Sequence, residues 1–211
     1  MAEIKIGKMV LGSYQTNCYF IYQADTKKAV IIDPADGGAQ IYSALERNGF
    51  SVEAILLTHA HFDHIWGSKE LRELSGAKIY ALDEEKALCE NSHNNVSEWA
   101  GRAYTVVPDE YVKDGAELVF DNMTFKVIAT PGHTIGSCCY YVEKAGMLIS
   151  GDTLFYESTG RTDFPTGSMG SIVRSIREKL FVLPEDTKVY PGHGESTTIE
   201  HEKKYNPFVT E

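Results

Sequence analysis

The 211-residue chain reads as an α/β protein: two βαβ-like halves packed sheet on sheet, helices outside, with strand ends opening on one edge. Three observations lead there. Short apolar runs alternate with segments of helical period. Strand, Asp33, helix, strand, Thr58-His59 in the first half is echoed by strand, Asp152, helix, strand, Gly192-His193 in the second. A composition of 43% hydrophobic and 24% charged residues suits one compact domain spanning residues 1–211.

Alternation at Ile4, Ile6 and Met9 to Leu11 predicts a first strand, and Cys18 to Tyr22 its hairpin partner. Lys28 to Ile32 is a buried run stopped by Asp33-Pro34. Residues 38–48 carry Ile41, Ala44 and Leu45 on one face and end at Gly49, the pattern of an amphipathic helix. Glu53 to Leu57 is a second buried strand, and Thr58-His59-Ala60-His61-Phe62-Asp63-His64 follows as an extended turn. A helix over Ser68 to Ser75 stopped by Gly76, a strand over Lys78 to Leu82 and a helix from Asp83 complete this half. Residues 91–115 are polar and weakly periodic, and read as loop over the surface.

Glu117 to Phe120 and Thr124 to Ala129 form a hairpin about Asp121-Asn122, closed by Thr130-Pro131-Gly132-His133-Thr134. Strands over Ser137 to Val142 and Met147 to Ile149 end at Gly151-Asp152. Ile172, Val173, Ile176 and Leu180 mark an amphipathic helix, and Lys188 to Tyr190 a last strand before Pro191-Gly192-His193-Gly194.

Thirty acidic against 20 basic residues leave a net charge of -10, which excludes a nucleic-acid partner held by bulk attraction. Cys18, Cys89, Cys138 and Cys139 form no CxxC pair. The adjacent Cys138 and Cys139 would face opposite sides of a strand, beside Tyr140 and Tyr141, and read as core rather than as a disulfide. A reduced, cytoplasmic chain fits this usage. The N-terminal residues lack a signal-peptide core and no apolar run nears the ~20 residues of a membrane helix, so no membrane partner is expected.

Chemistry concentrates in His59, His61, Asp63, His64, His133, Asp152 and His193, all at strand ends or in the turns after them. A rigid sheet places such loop groups accurately. The extended turn can splay His59 and His61 toward one ion and leave Asp63 and His64 to face a second. Imidazole and carboxylate without thiolate suit zinc, iron or manganese alike. Asp33, before Pro34, is read as a group orienting the metal loop. His93 and His201 stand in polar surroundings and are read as ordinary surface histidines.

THAHFDH, with PGH at 131–133, GD at 151–152 and GHG at 192–194, resembles the metallo-β-lactamase fold superfamily, and within it the glyoxalase II-like hydrolases. The resemblance implies an αββα four-layer sandwich with a dinuclear site at one sheet edge. By the family pattern His59, His61 and His133 hold the first ion, Asp63, His64 and His193 the second, and Asp152 bridges them; Asp63 and Asp152 are the catalytic candidates. Two divalent ions, zinc first with iron or manganese as alternatives, would then supply hydroxide to attack a carbonyl. A thiolate, with pKa near ~8.5, leaves without help from an acid, so the expected substrate is a small-molecule thioester such as S-lactoylglutathione.

The segment GDTLFYESTGRTDFPTGS resembles a shorter, stand-alone branch of these proteins. Its Arg161 is the candidate contact for a substrate carboxylate. The stretch after His193 is brief and reads Gly194-Glu195-Ser196 where the family carries a Tyr, so glutathione recognition carries over only in part. The other expectations are a mononuclear-iron persulfide dioxygenase of the same fold, or a hydrolase of another ester or lactone.

Overall fold

A computed structural model describes residues 3–209; residues 1, 2, 210 and 211, which the single-domain reading includes, lie outside the described residues. β1 (Ile4–Leu11), β2 (Thr16–Gln23) and β3 (Lys28–Ile32) form an antiparallel meander. α1 (Gly38–Arg47) carries the chain to β4 (Ser51–Leu56), parallel to β3. α2 (Phe62–Ile65) and α3 (Ser68–Ser75) lead to β5 (Lys78–Leu82), parallel to β4. A 3-10 turn, Asp83–Glu85, then α4 (Lys86–Cys89) and β6 (Glu110–Val112), parallel to β5, finish the first sheet, ordered β1-β2-β3-β4-β5-β6.

The second sheet begins with antiparallel β7 (Glu117–Phe120), β8 (Met123–Ala129), β9 (Cys138–Val142) and β10 (Met147–Gly151). A small hairpin of β11 (Leu154–Phe155) and β12 (Ser158–Thr159) precedes α5 (Met169–Ser175), which a π-helical turn, Ile176–Leu180, prolongs. β13 (Lys188–Pro191) pairs parallel with β10, and β14 (Thr197–Thr198) and α6 (Ile199–Tyr205) follow; the order is β14-β13-β10-β9-β8-β7.

Strand alternation divides the core into three layers. In β3, Ala29 and Ile31 face Ile41 and Leu45 of α1 and Leu71 of α3, whereas Val30 and Ile32 face the second sheet. In β9, Cys138 and Tyr140 face the first sheet, whereas Cys139 and Tyr141 face Ile172, Ile176 and Leu180. Strands buried on both faces explain the unbroken runs KAVII and CCYYV. The result is the expected αββα sandwich, and the four cysteines are buried and unpaired. No helix of the described residues is long and apolar enough to cross a membrane.

At one edge the sheets are stitched together. Asn17 N–H donates to the Gly192 carbonyl at 2.7 Å, and the Asn17 side chain and Tyr19 hydroxyl both donate to the Pro191 carbonyl at 2.9 Å. Cys138 N–H donates to Thr58 O at 2.8 Å, and Tyr140 Oη to Leu57 O at 2.8 Å. Backbone polar groups at strand ends are thereby satisfied across the sandwich, and the loops after β4 and β13 are held in register.

Three local expectations need correction. Phe62–Ile65 is a helical turn, so the histidine motif is extended only through His61. The 91–115 stretch contains β6, too short for alternation to reveal. Its polar residues are also not all solvated: Asn95 and Ser97 are fully buried, and Asn95 O accepts from Phe62 N–H at 3.2 Å. The helix after β14 was not anticipated, although Thr198 caps it by accepting from His201 N–H at 3.2 Å. Phe125, fully buried between the sheets, tests the sandwich: Phe125→Ala should lose ~3–5 kcal/mol of unfolding free energy in urea titration.

Candidate metal centre

β4, β8, β10 and β13 deliver the seven residues to the stitched edge. His59 and His61 follow β4, His133 follows β8, Asp152 follows β10 and His193 follows β13; Asp63 and His64 ride on α2. Asp33, after β3, organises the first loop. Its Oδ1 accepts Thr58 N–H at 2.8 Å and its Oδ2 accepts the Thr58 hydroxyl at 2.6 Å. The same Oδ2 lies 2.9 Å from His64 Nδ1. Asp33 adopts a left-handed backbone, φ 52°, a conformation Asp tolerates better than most residues and one these contacts hold in place.

These bonds decide which imidazole nitrogen faces inward. His64 donates its Nδ1–H to Asp33, and His133 donates its own to the Arg161 carbonyl at 2.7 Å. Thr58 Oγ1, having given its proton to Asp33, accepts from His59 Nδ1 at 3.1 Å. Nε2 is therefore the nitrogen that each of the three rings turns to the centre. His133 Nε2 lies 3.2 Å from His59 Nε2 and 2.8 Å from His61 Nδ1. A second group closes beside it, with His193 Nε2 at 3.2 Å from Asp63 Oδ2 and 3.4 Å from His64 Nε2. Asp152 lies between, its Oδ1 3.4 Å from His64 Nε2 and its Oδ2 3.5 Å from His133 Nε2. His93 and His201 lie apart, paired with Glu98 and Glu157.

Burial holds His59 and His133 below the usual imidazole range and His61 down at about 3, with neighbouring rings adding to the effect on His59 and His61. Burial opposes charge on His64 as well, but Asp152, Asp63 and Asp33 outweigh it and raise that ring. Burial likewise disfavours the Asp152 carboxylate, and His64 more than compensates, holding it low.

The residues fit divalent ions. His59, His61 and His133 place ligand atoms within 4.8 Å of one another, as do Asp63, His64 and His193. His61 Nε2 and Asp152 Oδ1 are buried without a hydrogen-bond partner among the described residues. The His59 and His133 Nε2 lone pairs, 3.2 Å apart, repel unless a cation lies between them.

A cavity of about 590 Å³ opens over the centre. Its walls are largely aromatic: Tyr14 against Phe62 (4.8 Å between ring centroids), Trp99 against Phe164 (6.0 Å), and Phe155. Arg161 lines it, its guanidinium 3.9 Å over the Phe164 ring and paired through Nε and Nη2 with Asp163, both at 2.7 Å. Sequence reasoning missed the Trp99 wall, because the polar 91–115 stretch gave no periodic signal. It also missed Thr16, whose hydroxyl donates to Asp63 Oδ2 at 3.1 Å, and Glu85, whose acidic run reads as a helix start.

The family description that matches is the Metallo-beta-lactamase superfamily, over residues 11–193. The probable metallo-hydrolase YqgX of Bacillus subtilis (strain 168) is 38% identical over 98% of each chain. Hydroxyacylglutathione hydrolase GloC of Haemophilus influenzae is 33% identical, over 93% of this chain and 94% of that one. Among solved structures, BLEG-1 B3 metallo-beta-lactamase superposes with a TM-score of 0.94 at 39% identity, covering 98% of this chain and all of that one.

Two measurements check the site. A Cβ at Gly192 would run into Asp152 Oδ1 and the His64 ring, so Gly192→Ala should weaken metal retention on the order of tenfold or more, read by elemental analysis after gel filtration. Burial pushes the Glu85 carboxyl from 4.5 to about 7, against donors from Ala60, Thr134 and Gly136. A carboxyl raised on folding stabilises the fold fully below its unfolded value, and that contribution is lost as pH rises through about 7. Metal-free wild type should thus lose more thermal stability from pH 5 to 8 than metal-free Glu85→Gln, whose position 85 does not titrate.

Proposed function

From the premise that this chain belongs to the metallo-beta-lactamase superfamily and is a metallo-hydrolase, we propose that it hydrolyses small-molecule thioesters, of the S-lactoylglutathione type or with another acyl-thiol. The observation that carries the reading is the make-up of the cavity wall. Beyond the seven candidate donors its described polar side chains are Tyr14, Ser158, Thr159 and Arg161, with no further histidine or carboxylate placed to protonate a leaving group. A thiolate, near pKa ~8.5, departs unprotonated, whereas an amine or alkoxide needs an acid. The relative named as a hydroxyacylglutathione hydrolase supports the same class.

His59, His61 and His133 would hold one divalent ion and Asp63, His64 and His193 a second, with Asp152 shared. Ions there would lower the pKa of water to about 7 and polarise a carbonyl, the two requirements of acyl hydrolysis. Asp33, through its bond to His64 Nδ1, fixes the ring that joins both carboxylates. Thr16 fixes the Asp63 carboxylate by donating to Oδ2. The aromatic walls desolvate an acyl or thiol arm. Arg161, with two of its three nitrogens committed to Asp163, can still meet a substrate carboxylate through the third.

A second reading follows from the 39% likeness to a protein described as a B3 metallo-beta-lactamase: hydrolysis of a β-lactam at the same centre. The metal is equally open, since a 32% identical structure, TTHA1623, is in a di-iron-bound form.

Elemental analysis paired with a thioester panel and thiol-release assay tests this. Near two ions per chain and thioester turnover are expected, with His59→Ala and Asp152→Ala each reduced by about a hundredfold or more. Arg161→Ala should raise KM for anionic thioesters and spare neutral ones. One iron per chain with oxygen uptake on glutathione persulfide would replace the proposal by the dioxygenase, and nitrocefin turnover outpacing every thioester would replace it by the β-lactamase.

A further inference from the structure

Glu85 closes the 3-10 turn after β5, outside the seven donors, and is only 1% exposed. Its carboxylate receives three hydrogen bonds and belongs to no ion pair among the described residues. Oε1 accepts Ala60 N–H at 2.9 Å; Oε2 accepts the Thr134 hydroxyl and Gly136 N–H, both at 2.9 Å. Ala60 is the residue between His59 and His61, and Thr134 is the neighbour of His133. The backbones meet as well: a Cβ at Gly136 would run into the backbone of Glu85, so glycine is what lets the 130–136 turn lie against this one.

We propose that Glu85 is a positioning residue that spaces the His59–His61 turn against the His133 turn and so sets the geometry and affinity of the tri-histidine metal site. The inference rests on the metal-centre reading and is independent of substrate. The two turns come from different sheets, and no strand pairing joins them at this point. A buried carboxylate with donors from both turns fixes their separation through a single side chain.

Glutamine cannot replace it. A carboxylate offers two acceptor oxygens to donors on both sides, whereas a Gln amide must turn its NH₂ toward either Ala60 N–H or the Thr134 and Gly136 donors. Glu202 is an internal control: it too is fully buried and accepts from three groups, Glu157 N–H, Thr197 Oγ1 and Asn206 Nδ2, none in the histidine turns.

The test measures Zn²⁺ affinity by chelator competition, and the visible absorption of the Co²⁺-loaded protein, for the parent, Glu85→Gln, Thr134→Val and Glu202→Gln. Glu85→Gln should bind zinc more weakly, on the order of tenfold or more, with displaced cobalt bands. Thr134→Val should show a smaller loss in the same direction, and Glu202→Gln should match the parent in both readouts. Parent-like zinc affinity and cobalt bands in Glu85→Gln would overturn the proposal, and so would an equal loss in Glu202→Gln. If Glu85→Gln does not fold, Thr134→Val decides alone, and unchanged zinc affinity there overturns it. A parent that binds neither ion removes the metal reading and this proposal together. A parent that binds zinc but cleaves no thioester removes only the substrate reading.

Discussion

His59 and His133, each giving its Nδ1–H to an acceptor behind it, face one another through Nε2 lone pairs at 3.2 Å in a buried pocket, and these repel; His61 Nδ1 lies beside them, 2.8 Å from His133 Nε2. Nothing in the His59 and His133 rings favours that approach. The surrounding framework must therefore impose it, and a divalent cation is what turns the same contacts from repulsive to binding. Each ring is oriented from behind. Thr58, leaning on Asp33, turns His59; Asp33 turns His64; the Arg161 carbonyl turns His133. The carboxylate of Asp152 is drawn in against its own desolvation because both groups of imidazoles surround it.

The αββα sandwich serves this constraint. Strands buried on both faces have no freedom to slip, since a one-residue shift would exchange the residues facing the other sheet with those facing the helices. Val30 and Ile32 against Phe125 and Tyr140 lock the two sheets, and the bonds from Asn17 and Tyr19 to the 191–194 turn lock their common edge. Ligand atoms from four strand ends then arrive with the accuracy of the sheets. The 91–107 segment is fastened to the same edge by the Arg102–Asp36 ion pair at 2.9 Å and by Asn95 O against Phe62 N–H, which is how Trp99 becomes a wall of the cavity.

The relatives share this frame and carry different descriptions, a hydroxyacylglutathione hydrolase and a B3 metallo-beta-lactamase among them. The seven candidate donors lie at strand ends and in one helical turn, whereas Tyr14, Trp99, Arg161 and Phe164 lie in connections that can change without disturbing the sheets.

Local pattern determined much of this protein. Buried runs such as KAVII and CCYYV announced central strands, the Asp-then-His order of the two halves announced paired parallel units, and β3–β4 and β10–β13 are parallel as that order requires. The candidate donors were legible as a set because His and Asp at strand ends form a pattern that chance seldom produces, and the fold brings them together. What lies between residues distant in sequence was not legible. Glu85 looked like one of three acidic residues opening a helix, and only packing against the 130–136 turn buries it among donors from both histidine turns. Trp99 and the buried Asn95 sat in a stretch whose polar composition promised solvent, because a polar side chain is buried once the tertiary fold supplies its hydrogen bonds, and sequence periodicity carries no record of those partners.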